Sequence, residues 1–253
     1  MVKLFDLSGM KAIVTGGGGA LGLGAVEALA EYGAHVVIID VSQGAQNAAQ
    51  NLRGKGLRCD AVIGNLSVRA EAQQAFATAV EILGGELDIL VNAAGICRRC
   101  ACEEFSEKDW DDVIEINLSA AFFMSQLAAN IMLKRGYGKI VNFSSMISFF
   151  GGHSVPSYAA SKGGLSSLTR SLSNEWASKG ICVNAVAPGY MDTPLNTGLF
   201  SDAQRCKQIM SRIPIGRWGT PADMKGTIIF LCSHASDYVT GAVIPVDGGY
   251  LSC

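Results

Sequence analysis

No run of basic residues occurs anywhere in the sequence, and 20 lysines and arginines stand against 22 acidic residues, for a formal charge of -2. That absence removes the electrostatic footprint by which nucleic acid or an anionic membrane is held, so the expected partner is a small polar molecule. The N-terminal stretch "MVKLFDLSGMKAIV" lacks the apolar centre of a signal peptide, and a cytosolic protein is expected. No Pro/Ser-rich linker, shift of composition or internal repeat divides the chain, so residues 1–253 are expected to form one domain. One long uncharged and apolar run, "INLSAAFFMSQLAANIML" from Ile116, is nearly long enough to cross a bilayer. Asn117, Ser119, Ser125, Gln126 and Asn130 interrupt it, which fits a helix buried against protein better than one in lipid.

What the sequence does have is apolar residues, 49% of the total, enough for a large core. Short β-branched runs ("KAIVTG", "HVVIID", "CDAVIG", "LDILVN", "KIVNFS", "ICVNAVA", "AVIPVDGG") alternate with helical patterns near 20–32, 42–54, 67–84, 108–135, 157–178 and 221–235. Nearly continuous apolar strands between helices predict a parallel sheet covered on both faces, a doubly wound α/β fold of seven strands. The stretch "PGYMDTPLNTGLFSDAQRCKQIMSRIPIGRW" is long, irregular and apolar in patches, and a substrate lid is expected at about 190–215.

"VTGGGGALGLG" follows the first strand and opens the first helix, where a glycine turn brings backbone N–H groups and a helix N-terminus up to a pyrophosphate. The same loop can be mere strand-to-helix punctuation. Asp40 ends the second strand, where a carboxylate can accept hydrogen bonds from ribose hydroxyls and repel a 2′-phosphate. The next arginine, Arg53, lies beyond a helix. NAD is therefore expected rather than NADP, although an aspartate there can also simply cap a turn.

"SYAASKGG" sets Tyr158 and Lys162 four apart on one helix face. A phenol is a poor base at neutral pH, and a nearby ammonium is expected to draw its pKa toward the working range. Tyr158 would then take a hydroxyl proton as hydride leaves the carbon. Ser145, at the end of "KIVNFSS", falls at the carboxyl edge of the sheet and can hold the reacting oxygen. Asn117, inside the apolar helix, needs a backbone or water partner, and such a water can pass protons to Lys162. Each feature taken alone has a bland alternative; the four in this order behind a first-strand glycine loop form a constellation.

"TGGGGALG", "NAAG" at 92–95, Asn117, Ser145, Tyr158 with Lys162, "PG" followed by Thr193, and "VDGG" at 246–249 together resemble the short-chain dehydrogenase/reductase family along the whole chain. The resemblance implies a Rossmann fold, a homotetramer, and cofactor contacts from Gly16, Gly19, Leu21, Gly22, Asp40, Asn65, Leu66, Asn92, Ala94, Tyr158, Lys162 and Thr193. Two residues depart from the family's pattern: Ala20 stands for a usual glycine and Asn65 for a usual aspartate, from which altered affinity but retained binding is expected. Within the family, "EFSEKDWDDVIEINLSAAFFMSQ", "SSMISFFGGHSVPSYAASKGG" and "RIPIGRWGTPADMKGTIIFL" look like the sugar-acid dehydrogenases of the 2-deoxy-D-gluconate 3-dehydrogenase (2-keto-3-deoxygluconate oxidoreductase) and gluconate 5-dehydrogenase group. The implied activity is hydride transfer between nicotinamide and a secondary alcohol or ketone of a sugar acid. The rivals are a dehydrogenase of neutral sugars or polyols, a 3-oxoacyl-carrier-protein reductase, and a non-catalytic nucleotide sensor.

"ICRRCAC" at 96–102 follows the fourth strand. CxxCxC supplies three thiols where a structural zinc needs four ligands, so no metal is expected. Arginines beside a thiol favour the thiolate and open a redox reading. Arg98 or Arg99 can instead pair with a sugar-acid carboxylate at the rim of a pocket, beside Ser145 and Tyr158, leaving the cysteines incidental. A solvated pair or a salt bridge between subunits is the competing reading of the two arginines.

Overall fold

β-Branched runs bounded by glycine and turn residues become seven strands: β1 Lys11–Thr15, β2 His35–Asp40, β3 Cys59–Ile63, β4 Ile89–Asn92, β5 Gly138–Phe143, β6 Ile181–Pro188 and β7 Val243–Val246. They come from a computed structural model that describes residues 4–194 and 203–253. All pair in parallel in the order β3-β2-β1-β4-β5-β6-β7. The chain runs outward from β1 in one direction and then returns to lay β4 on its other side. That reversal opens a crevice beyond the carboxyl ends of the strands.

The helices among the described residues are α1 Ala20–Glu31, α2 Gly44–Gly54, α3 Arg69–Ile82, α4 Glu107–Ile114, α5 Ala120–Arg135, α6 Ile147–Phe150, α7 Pro156–Trp176, α8 Ala203–Met210 and α9 Pro221–Cys232. Successive strand residues point to opposite faces, and each face is covered. Ala12, Val14, Val36 and Ile38 pack with α1, α2 and α9, whereas Ile13, Val37 and Ile39 pack with α3, α5 and α7. The apolar run around residue 116 lies in a continuous helical stretch, Glu107–Arg135, long and apolar enough to cross a membrane. Its α5 part instead buries Ala120, Met124, Ala128 and Met132 against the sheet.

Three features depart from the sequence reading. A π turn, Glu115–Ser119, interrupts the helix predicted over 108–135. The short α6 follows β5. The stretch expected to be an irregular lid contains α8, which buries Ile209 on its inner side; residues 195–202 of that stretch lie outside the described residues.

Candidate active site

A cleft of about 670 Å³ fills the crevice at the carboxyl edge. At one end it is built from backbone. Gly16 leaves β1 with φ +69, and a Cβ there would lie 2.5 Å from Ala94 Cα, so only glycine lets the first loop press against the loop after β4. A Cβ at Gly22 would meet Gly16 O at 2.2 Å, so the start of α1 also closes directly on that loop. Ala94 N donates to Thr15 Oγ1 (3.4 Å), tying the same two loops. Gly19 is the N-cap of α1 and supplies no side-chain acceptor, and Ala20 is the first helical residue. The first-turn N–H groups thus meet the cleft without a capping side chain, the arrangement that receives a pyrophosphate.

Asp40 serves both readings offered for it. Its carboxylate accepts from Gly18 N and Ser42 N, each at 2.9 Å, which holds the glycine loop to the end of β2, and it also lines the cleft. Arg53 is committed elsewhere, to Asp60 at 3.0 Å and to Cys59 O at 2.7 Å. Asn65 and Leu66 line the same end, with Asn65 Oδ1 accepting from Ser67 N (3.0 Å) and Ser67 Oγ (2.8 Å) in a tight turn before α3. Gly16, Gly19, Leu21, Gly22, Ala94 and Thr193 are all at the cleft wall. A cradle of glycines that side chains would fill, an open helix N-terminus and a carboxylate at the strand end together fit a nicotinamide dinucleotide. Asn92 lies behind this wall: its amide donates to Asn142 Oδ1 (2.9 Å) and Ser125 Oγ (3.0 Å), joining β4 to β5 and α5.

Ser145, Tyr158 and Lys162 line the cleft together. Ser145 sits two residues beyond β5, and its hydroxyl accepts from Ile147 N (3.3 Å) and bonds to Tyr158. Lys162 is 4% exposed and its Nζ donates to Phe143 O at 2.7 Å. Asn117 lies behind them in the π turn. Its Oδ1 accepts from Ile96 N (2.8 Å), and its Nδ2 donates to Ile96 O (2.9 Å) and Ser161 Oγ (3.1 Å), clamping the loop after β4 to α7. Gly95 runs close against this pair: a Cβ there would fall 3.2 Å from Asn117 Oδ1 and 3.4 Å from Lys162 Nζ.

With this geometry in place, the comparisons with known proteins become decisive. Residues 18–251 match the family described as Enoyl-(Acyl carrier protein) reductase. The chain is 45% identical to 2-dehydro-3-deoxy-D-gluconate 5-dehydrogenase of Escherichia coli (strain K12), over 100% of this chain and 99% of that protein. The chain belongs to the short-chain dehydrogenase/reductase family. It is 38% identical to gluconate 5-dehydrogenase of Gluconobacter oxydans (strain 621H), over 97% of this chain and 96% of that one. A crystal structure of a gluconate 5-dehydrogenase from Burkholderia cenocepacia J2315, in complex with NADP and tartrate, superposes with a TM-score of 0.94 at 38% identity, covering 99% of this chain and 98% of that chain. The protein is thus an oxidoreductase of nicotinamide dinucleotides acting on alcohol or keto groups.

The electrostatics of this dehydrogenase correct one expectation. Tyr158 is pushed up to about 12, chiefly by burial and then by the Cys97 thiol; the Ser145 hydrogen bond and Arg99 oppose this without overcoming it. Lys162 does not pull the phenol down, because its Nζ is turned to Phe143 O and lies 5.6 Å from the centre of the Tyr158 ring. Burial draws Lys162 itself down to about 8. The cleft thus holds a phenol that gives up its proton reluctantly and an ammonium that gives up its own more readily than a free lysine.

"ICRRCAC" divides at the same wall. Cys97 and Arg99 line the cleft, whereas Arg98 turns outward and pairs with Asp109 at 3.3 Å. The cysteines are therefore not all incidental in position. Burial raises the Cys97 thiol and outweighs Arg99, Lys162 and Arg98, which counts against the redox reading that neighbouring arginines opened. Cys100 N donates to Ser154 O (3.1 Å), fastening this segment to the loop that carries His153. Among the described residues, no group of three or more His, Cys, Asp or Glu is placed to hold a metal ion.

Among the cleft residues that sequence reading missed are Phe150, His153, Tyr190 and Arg205. Phe150 ends the short α6, and His153 and Tyr190 sit in loops; none of the three belongs to a chemical motif. Arg205 is carried by α8, whose pattern of Ile209, Met210 and Ile213 was the available signal that the stretch is a packed element.

Proposed function

We propose that the protein is an NAD-dependent dehydrogenase of sugar acids of the 2-deoxygluconate, 2-keto-3-deoxygluconate or gluconate type. The observation that carries this reading is a cation, Arg99, on the wall of the cleft that also holds Ser145, Tyr158 and Lys162. A guanidinium there can take a substrate carboxylate in a two-pronged hydrogen bond while the secondary alcohol lies at Tyr158. The full-length similarity to named sugar-acid dehydrogenases supports the same class. Of the two arginines proposed from sequence, Arg99 keeps the role; Arg98 is occupied by Asp109.

When bound, the nicotinamide ring accepts the hydride. The protein's residues do the rest. Ser145 Oγ holds the reacting oxygen, and Tyr158 Oη takes its proton in oxidation and returns it in reduction. Lys162, held in place by Phe143 O, is the side chain that would hold the ribose of a bound dinucleotide beside Tyr158. Asn117 clamps the loop after β4 next to Lys162, and the expected proton-relay water would use the Oδ1 lone pair that protein partners leave. The negative charge of Asp40 at the ribose end, with Arg53 engaged by β3, supports NAD over NADP. The NADP in the Burkholderia enzyme makes the opposite preference the alternative to test. A cytosolic homotetramer is the proposed state, its assembly to be read by light scattering.

The test is nicotinamide absorbance, with NAD or NADP against sugar acids, matched neutral sugars and polyols, and with NADH or NADPH against a 3-oxoacyl thioester, whose 3-oxo group would be the one reduced. Turnover confined to sugar acids with NAD is expected. Turnover on neutral sugars alone overturns the carboxylate argument, and thioester reduction with NADPH overturns the class. Asp40→Asn, which removes charge but keeps an acceptor for Gly18 N, is expected to raise kcat/KM with NADP about tenfold.

A further inference from the structure

The C-terminal motif "VDGGY" has no part in the chemistry so far, yet four segments of the substrate half converge on it. A Cβ at Gly189, just after β6, would lie 2.6 Å from Asp247 Cα, so the loop that begins the substrate wall rests directly on the tail. Asp247 accepts from Gly249 N and Leu251 N, each at 2.9 Å, and folds the tail back as a tight turn. Gly248 and Gly249 both have positive φ and face Ile213–Ile215, the stretch after α8; Cβ atoms there would fall 2.6 Å from Ile215 and 2.9 Å from Pro214. Ile215 N also donates to Gly248 O at 3.1 Å.

That turn delivers Tyr250, which is 4% exposed, into a small core of its own with Met146, Ile209 and Ile213. Its ring meets Tyr190 edge-on at 5.3 Å and Phe150 at 6.1 Å, and the Arg212 guanidinium lies over it at 4.4 Å. Burial, and then Tyr250 beside it, raise the Tyr190 phenol. Tyr190, Phe150, Met146 and Arg205 line the cleft, while Tyr250 stands behind them. This cluster is separate from the two cores that cover the sheet, and none of the glycine-loop residues belongs to it.

We propose that Tyr250 is a positioning residue for the substrate half of the cleft: it seats α8 and Tyr190 and so sets substrate affinity while leaving the dinucleotide half unaffected. The inference rests on the reading that this half takes the substrate. It does not rest on which substrate that is.

Tyr250→Ala is expected to lower kcat/KM for the substrate by up to about 10²-fold, mostly through KM, because small displacements of binding groups are costly. NADH affinity, read by fluorescence titration, is expected to stay within about twofold, as for independent sites. Tyr250→Phe keeps the ring and loses only the hydroxyl pair, so it should return activity to within about tenfold of wild type. Hydrogen exchange gives a readout without substrate: amides of 203–216 should exchange faster in Tyr250→Ala and unchanged in the surface control Tyr238→Ala, with β1 and α1 still protected. Should Tyr250→Ala prove insoluble, Tyr250→Leu is measured the same way.

An unchanged substrate KM together with unchanged exchange over 203–216 overturns the proposal. So does a uniform rise in exchange with parallel loss of NADH binding, which would make Tyr250 part of the general core. If the wild type ignores sugar acids, the sugar-acid reading fails by itself. The exchange data and whichever substrate the panel finds then still decide on Tyr250.

Discussion

The two halves of the cleft are built on different principles. The dinucleotide half is made from backbone: Gly16 and Gly22 admit contacts that a Cβ would block, and Asp40 fixes the glycine loop through two main-chain N–H groups. The substrate half is made from side chains carried by loops after β4, β5 and β6, by α8 and by the tail, meeting in a cluster outside the main cores. A surface of main-chain donors recognises phosphate, a group common to many ligands. A surface of side chains on separate loops can change its specificity without disturbing the sheet.

The largest test of this division is Tyr158→Phe. Removing the hydroxyl proposed to exchange the proton should lower turnover by roughly 10²–10⁴-fold, with NADH binding unchanged by fluorescence. Full residual turnover would dissolve the distinction between a binding half and a reacting half.

Gly16→Ala attacks the other half. The forced positive φ and the approach of Ala94 should cost on the order of 1–3 kcal/mol of stability, read by denaturant titration, along with much of the NADH affinity. The same substitution at Gly226, where nothing lies within 4 Å of the added Cβ, should do neither.

Burial of Lys162 makes a third prediction. Its pKa is lowered from 10.5 to about 8 on folding, so between those values the unfolded chain binds the extra proton and this residue's contribution to stability rises with pH. The unfolding free energy of wild type should therefore gain on that of Lys162→Met by on the order of 1–3 kcal/mol between pH 8 and 10.5. Tyr158 acts in the opposite direction at higher pH: its pKa rises from 10.0 to about 12, and stability is lost as pH climbs between them. Since its phenolate is scarce near neutrality, alcohol oxidation should speed up with rising pH more steeply than ketone reduction.

The smallest effects separate the paired arginines. Arg99→Ala should raise KM for sugar acids about 10- to 100-fold and leave neutral substrates unaffected, the loss expected for hydrogen bonds to a charged group. Arg98→Ala removes an exposed pair with Asp109 and should alter KM or stability by no more than about 1 kcal/mol. Equal losses at both positions would return Arg98 to the site.

The seven strands and the long helices were legible because their signal is local: an unbroken β-branched run between helical patterns has few other ways to bury itself. The glycine loop, Asp40 and the Tyr158/Lys162 spacing were legible for the same reason, each pattern lying within one element or at its end. The π turn at Asn117 was not, since a carboxamide that bonds both ways to Ile96 across 21 residues leaves no periodic trace. Nor was the fate of the arginines, where adjacent residues of equal charge part company because Asp109 happens to lie beside one and the cleft beside the other.

The sequence by itself determined the doubly wound sheet and picked out the glycine loop, Asp40, Ser145, Tyr158 and Lys162 that line one cleft, because these follow from patterns of neighbouring residues and from chirality. Only the tertiary structure decided the burial that shifts Tyr158, Lys162 and Cys97, the placing of Arg99 on the cleft wall while Arg98 pairs with Asp109, and the packing of Tyr250 behind Tyr190. Those depend on desolvation and on contacts between residues far apart in the chain, which packing alone brings together.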